Sequence, residues 1–200
     1  MPRKPRIFTE TGVYHITTRG NNRQDLFQER RDYLTYLGML GLLKQEYRFE
    51  IYHYCLMTNH THLLIRFNDS QGLQKVMQRV NLVYAKYFRR QRTYCGHVFQ
   101  DRFKSFPVED DAYLLDCGRY IERNPLKAGL AKDIREYSWS SYPFYAEGQA
   151  NALLTPNPLY LDLGDTSGER QSRYQEYVLT HRPYEKLIDQ GLGVWSLPRV

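Results

Sequence analysis

A chain of 200 residues can bury one proper core with a small appendage, which excludes a large multidomain machine. Lys plus Arg number 28 against 22 Asp plus Glu, and the resulting net charge of +6 points to an anionic partner, nucleic acid before a membrane surface. No run reaches the roughly 18 consecutive apolar residues of a membrane span, and Met1-Pro2-Arg3-Lys4-Pro5-Arg6 leads into no apolar signal segment, so a cytoplasmic protein is expected.

After that basic arm, Val13-Tyr14-His15-Ile16-Thr17-Thr18 is rich in β-branched and aromatic residues and stops at the turn signal Arg19-Gly20-Asn21-Asn22, which predicts a first strand and a loop. From 29 to 47, Tyr33, Leu37, Leu40, Leu43 and Tyr47 recur at three- and four-residue steps, a helix period. Residues 49–57 alternate through Phe49, Ile51, His53 and Cys55 on one face; Thr58-Asn59 makes a tight turn, and 60–67 is the partner strand of a hairpin. Asn68-Asp69-Ser70 can cap a second helix whose apolar stripe runs Leu73, Val76, Met77, Val80, Val83, Tyr84, Tyr87 and Phe88. Gly96 ends that pattern, and 98–108 reads as an extended segment or hairpin. A third helix over 110–123 carries Tyr113, Leu114, Cys117, Tyr120 and Ile121, and is expected to end near Asn124 because Pro125 disfavours helical backbone before it.

The order β-α-β-β-α-β, then a further helix, predicts an α+β, ferredoxin-like antiparallel sheet with helices on one face, filling residues 1–145. Trp139-Ser140-Ser141-Tyr142 suits a packed end to that unit. Residues 146–200 read as a C-terminal appendage of loop and short helices, at 170–181 and 183–189, closing in a Gly-rich tail. Cys55, Cys95 and Cys117 fall at unrelated spacings and read as reduced thiols rather than a disulfide framework.

The chemistry concentrates in 54–65. On a strand, His60 and His62 share one face while Thr61, Leu63 and Ile65 share the other. Neutral imidazole is a common ligand for divalent metal, so one face can bind an ion while the other packs; an incidental pair is the equally simple alternative. Tyr120 and Asn124, four apart, lie on one helical face. They read either as phenol and amide presented together or as a core tyrosine and a turn-tolerant helix end. Tyrosines number 18, so proximity of one to a site means little by itself. Lys86, Arg89, Arg90, Arg92, Arg102 and Lys104 stand near Tyr94, Phe99 and Phe103, a mixture suited to phosphates and unpaired bases, or to a solvated helix face over core aromatics. Arg19, Asn21, Asn22 and Arg23 are a loop with base-reading side chains, and equally a turn. His15, His53, His97 and His181 read as structural, with His15 able to face the metal strand.

Three separated motifs occur in one order: Tyr14-His15-Ile16-Thr17-Thr18-Arg19-Gly20-Asn21-Asn22-Arg23, then Leu56-Met57-Thr58-Asn59-His60-Thr61-His62, then Arg119-Tyr120-Ile121-Glu122-Arg123-Asn124-Pro125-Leu126-Lys127-Ala128-Gly129-Leu130. Across residues 10–145 the chain thereby resembles the REP-associated tyrosine transposases, in the single-tyrosine branch of the HUH endonucleases. The resemblance implies a ferredoxin-like enzyme that cuts and rejoins single-stranded DNA beside REP-type hairpins. It further implies a divalent metal, Mg²⁺ or Mn²⁺, held by His60, His62 and Asn124, with Tyr120 as nucleophile retaining the 5′ phosphate. The partner is then hairpin-bearing single-stranded DNA and no membrane; the protein is a monomer or homodimer, nucleoid-associated when bound. Two departures stand out: Thr61 replaces a bulky hydrophobic residue, and Asn124 stands where related insertion-sequence transposases have glutamine. Two alternatives share the fold, a hairpin-binding module without cleavage and a phosphohydrolase in which water attacks and Tyr120 only packs.

Overall fold

The computed structural model describes residues 8–109 and 111–180. Strand β1 (Val13–Arg19), helix α1 (Arg30–Tyr47), strands β2 (Glu50–Leu56) and β3 (His60–Arg66), helix α2 (Ser70–Arg92), strand β4 (Lys104–Pro107) and helix α3 (Asp111–Lys127) follow in order. The strands form one antiparallel sheet in the order β2-β3-β1-β4, the ferredoxin-like arrangement. The basic arm, the helix expected at 183–189 and the Gly-rich tail lie outside the described residues. Among the described residues no helix is long and apolar enough to cross a membrane.

The pleat divides the strands between two cores. Ile16, Leu63 and Ile65 face α1 and α2, where Tyr36, Leu40, Val76, Met77, Val80 and Tyr84 cover them. Val13, Cys55 and Leu64 face the other way, against Leu114, Cys117, Tyr120 and Ile121 of α3. The sheet is therefore lined by two helices on one side and by α3 on the other. At the entry to α2, the Asp69 carboxylate accepts from Gly72 N–H at 2.6 Å, the expected cap.

Two expectations are corrected. The alternation through 49–57 breaks at a bulge between Ile51 and His53. One extra residue reverses the phase, so Phe49 and Ile51 share the α1/α2 side with Tyr54 and Leu56, while Cys55 belongs to the α3 side. Helix α3 also runs through Pro125 to Lys127 rather than ending near Asn124. Pro125 has no N–H for the carbonyl of Ile121; the Asn124 Nδ2 donates to it instead at 3.3 Å, and to Tyr120 O at 2.9 Å. The chain leaves the helix at Gly129, whose φ of +67° lets Leu130 N–H return to Pro125 O at 2.9 Å.

Behind α3 stand helices α4 (Tyr142–Glu147), α5 (Pro158–Leu161) and α6 (Ser167–Leu179). The start of α6 at Ser167, ahead of the expected 170, follows from a capping box between Thr166 and Glu169. Polar bonds, part-buried at the two arginines and fully buried at Glu122, join these helices to α3. Arg119 donates to Tyr177 O (2.9 Å) and to Thr180 O, and Arg123 to Val178 O (2.7 Å). The fully buried Glu122 carboxyl accepts from Ser141 Oγ (2.6 Å), Tyr174 OH (2.8 Å) and His53 Nδ1 (2.9 Å). Asn157 Nδ2 lies 3.2 Å from His53 Nε2, which assigns the His53 proton to Nδ1.

Helix α3 approaches β2 over Gly118, where a Cβ would meet His53 Nε2 at 2.5 Å and two ring carbons at 2.7 Å. His53 is fully buried and held by hydrogen bonds, so it has nowhere to retreat. Gly118→Ala is expected to lose about 1–3 kcal/mol by overpacking, despite the better helix propensity of alanine. Chemical denaturation measures this, and an unchanged midpoint would contradict the close approach.

Candidate active site

The tight turn at Thr58-Asn59 starts β3 in a phase that sends His60 and His62 toward α3. Their ring centroids are 4.9 Å apart. Across the ladder, Arg19 stands opposite His60 and Thr17 opposite His62, while Lys104 pairs with Thr17 from β4. Cross-strand partners share a face, so two cations flank the imidazoles. The 61 position points the other way and is fully buried, so the Thr61 departure does not touch this face.

His62 is fully buried, with Nδ1 2.9 Å from His15 Nε2 and the two rings stacked. His60 Nδ1 lies 2.7 Å from Asn59 Oδ1, an acceptor, so Nδ1 carries the proton and Nε2 keeps its lone pair. Burial, with the charge of Arg19 second, lowers the His60 pKa to about 4, and burial takes His15 to about 3. His62 is driven well below its ordinary value by burial first, then by His60, His15, Lys127 and Arg19. All three imidazoles are therefore neutral near pH 7, the form that ligates metal.

Tyr120, 4% exposed, sets its ring edge-on to His62 at 5.9 Å and to His15 at 6.0 Å between centroids. Lys127, two helical turns further on, places Nζ 4.6 Å from the Tyr120 ring centroid. Asn124 is buried one turn beyond Tyr120; with Nδ2 committed to its own helix, Oδ1 is its metal-capable atom. Among the described residues no three His, Cys, Asp or Glu side chains cluster as a metal site. The observation that fits a divalent cation is His62 Nε2, buried with no hydrogen-bond partner. Two imidazole nitrogens and an amide oxygen, were they to share one cation, would leave positions for phosphate and water.

The loop expected to read bases abuts this site. Asn21–Arg23 form a 3₁₀ turn in which Asn22 and Arg23 have φ of 48° and 58°, left-handed backbone that asparagine tolerates. Gly20 N–H reaches Asn59 O at 2.8 Å, and Asn59 Nδ2 reaches Arg23 O at 3.2 Å, tying the loop to the histidine turn. Asn22 and Arg23 are exposed.

The basic cluster divides. Lys86, Arg90 and Arg102 face solvent. Arg89 donates twice to Gly96 O, at 3.2 and 3.0 Å, fastening the end of α2. Arg92 lies over the Phe88 ring at 4.6 Å and pairs with the buried Asp32. Burial alone would raise the Asp32 pKa, but hydrogen bonds from Gln28 N–H, Tyr87, Glu29 N–H and Arg92 hold it below its ordinary value. Lys127 and the positioning role of Asn59 escaped the sequence reading. The seven-residue step from Tyr120 was the available signal for Lys127, concealed by ending the helix at Asn124.

The structure thus packs a helix-borne tyrosine against a His-x-His strand of a ferredoxin-like sheet. The chain belongs to the IS200-like transposase family, whose pattern matches residues 9–124. Its fold is similar to that of a REP-associated tyrosine transposase solved bound to a REP hairpin: TM-score 0.58 and 19% identity, over 78% of this chain and 92% of the other. A candidate transposase from Deinococcus radiodurans R1 aligns at 13% identity and TM-score 0.42, over 61% of this chain and 97% of that one. No curated protein sequence matches.

The division of the basic cluster is testable by two double variants. Lys86→Gln with Arg90→Gln is expected to flatten the salt dependence of single-stranded DNA binding, by about 0.7 in log–log slope per lost phosphate contact, without altering stability. Arg92→Gln is expected to cost about 1–3 kcal/mol by removing a charged partner of buried Asp32, and Arg89→Gln paired with it adds little to the slope. Melting curves and anisotropy titrations at several salt concentrations separate the two effects; a steeper loss of slope from the Arg89/Arg92 pair would reverse the assignment.

Proposed function

We propose that this chain is a REP-associated type of tyrosine transposase, which nicks and rejoins single-stranded DNA beside a hairpin through a covalent 5′-phosphotyrosine on Tyr120. The supporting observation is the Tyr120 ring edge-on to His62, whose Nε2 is buried without a partner.

His60, His62 and the Asn124 oxygen are the residues that would hold Mg²⁺ or Mn²⁺. When bound, such a cation neutralises non-bridging phosphate oxygens and favours the phenolate over the phenol. The chain's own groups do the rest. Asn59 and His15 fix the two imidazole rings by their Nδ1 atoms. Arg19, Lys104 and Lys127 surround the histidine face with positive charge for a phosphodiester. The helix α6 and Glu122 contacts set the rotation of α3, and with it the direction of the Tyr120 phenol. The phenolic oxygen forms the bond to phosphorus, its proton passing to solvent; the P–O3′ bond breaks, and the leaving 3′ oxygen takes a proton. The phosphotyrosine conserves the phosphodiester bond energy, so attack by a 3′ hydroxyl rejoins the strand and frees Tyr120.

Tyr120→Phe removes only the attacking oxygen. A tyrosine that merely packs would lose about 1 kcal/mol of hydrogen bonding and leave the chemistry intact. Wild type and variant are incubated with divalent metal and end-labelled hairpin DNA, and adducts are resolved on a denaturing gel and mapped by peptide mass. Expected are DNA joined through its 5′ phosphate to Tyr120, a free 3′ hydroxyl on the other fragment, and no adduct from the variant. Cleavage by both proteins with no adduct would establish the phosphohydrolase reading instead, and binding without cleavage the non-cleaving module.

His60→Ala and His62→Ala are expected to abolish cleavage while DNA affinity persists, because phosphate contacts elsewhere supply it. Calorimetry with Mn²⁺ checks the cause: unchanged metal affinity in both variants would remove the pair from the metal site.

A further inference from the structure

A cavity of about 630 Å³ lies between α2 and the segment leading to β4, apart from the histidine face. Gln74, Gln78 and Asn81 line it from α2, and Phe99 and Arg102 from the facing segment. Spacings of four and three residues put the three carboxamides on one helix face. Asn81 Oδ1 is buried and accepts no hydrogen bond. The Phe99 ring is half-buried, its centroid 6.4 Å from that of Tyr84. This segment is bonded to the end of β1: Phe99 bridges Gly20, and Gln100 N–H donates to Arg19 O at 2.9 Å. Arg19 in turn stands opposite His60.

We propose that this cavity receives one unpaired adenine of the DNA strand, a specificity site that rests on the transposase reading. A carboxamide offers a donor and an acceptor in one plane, the complement of the adenine N7 and N6 amino group. The exposed Gln78 carboxamide oxygen takes the amino hydrogen, joined by the unpartnered Asn81 Oδ1 once that side chain turns toward the cavity; guanine and thymine present no such hydrogen on the corresponding edge, and cytosine lacks the N7 acceptor. Phe99 supplies a face for stacking, held in place by the core beneath it. Arg102, exposed at the rim, meets a neighbouring phosphate. The cavity is on the α2 side of the sheet and the histidines on the α3 side. From Phe99 across β1 to His60 is two interstrand steps, roughly 10 Å, so a strand passing over the end of β1 reaches both.

The test uses fluorescence anisotropy without metal, so that it does not depend on cleavage. The probes are a labelled oligo(dT) with one central dA and the same oligomer with dC or dT there. Wild type is expected to prefer the dA probe by about ten-fold, the discrimination of one good bidentate contact. Gln78→Leu with Asn81→Leu is expected to bring the dA probe to the level of the dT probe, leaving dT binding and melting temperature unchanged. Phe99→Leu is expected to weaken all three probes together. Equal affinity of wild type for the dA and dT probes, or a dA preference that survives in the double variant, would overturn the assignment. A Gln78- and Asn81-dependent dA preference in a protein that forms no adduct with hairpin DNA would leave the cavity standing and remove the transposase reading. Adduct formation at Tyr120 without a dA preference would do the reverse.

Discussion

Everything at the candidate site depends on how helix α3 is fastened to the sheet. Its apolar side covers Val13, Cys55 and Leu64, but much of its polar side is covered as well, with buried Arg119 and Glu122 and half-buried Arg123 bonded to α4 and α6. Polar bonds of this kind are directional and costly to leave unmade. They fix rotation about the helix axis, which greasy contact alone fixes poorly. That rotation carries Tyr120 over His62 and His15, and it seals His62 from water. Desolvation then keeps the imidazoles neutral. A histidine pair on an uncovered strand would titrate near its ordinary value and lose part of its ligand character at mildly acidic pH.

The sheet imposes the complementary constraint. β3 is central, paired with β1 and β2, and a slip of one residue would send the histidines into the α1/α2 core and Leu63 toward α3. Thr61, Leu63 and Ile65 on one face therefore specify the position of His60 and His62 on the other. The positive charge is arranged around this frame at two depths. Arg19 and Lys104 flank the imidazoles on the sheet face, whereas Lys86, Arg90 and Arg102 stand out in solvent, where an anion would be met without desolvating a partner.

Elements defined by short-range periodicity were legible in the sequence: β1, α1 and the β2–β3 hairpin lie within a residue or two of their expected bounds, and α2 starts at its expected cap but ends at Arg92, ahead of Gly96. So was the meeting of His60, His62 and Tyr120, through motifs carried by a family resemblance rather than by spacing. Misreadings arose where a distant or side-chain contact overrides a local rule. The bulge before His53 leaves no compositional mark, because both phases of β2 are apolar. The helix runs past Pro125 because the Asn124 amide replaces the missing backbone donor, a bond that the order of residues does not announce. Arg92 read as one cation in a cluster of cations; its partner Asp32 sits in a capping box at the start of another helix, sixty residues away. Lys127 was hidden by the same error that shortened α3.

The central claim is that neutral His60 and His62 present their Nε2 atoms to a cation beside Tyr120 while Nδ1 is held by Asn59 and His15. Imidazole ¹⁵N NMR on uniformly labelled protein, titrated with Mg²⁺ at neutral pH, tests it most directly because it reports tautomer and ligation atom by atom. The account predicts protonated Nδ1 in both rings before metal is added, and metal-dependent shifts confined to Nε2 of these two histidines, with His53 unmoved. Imidazolium signals at neutral pH, or metal-dependent shifts at Nδ1 or at neither histidine, would contradict it.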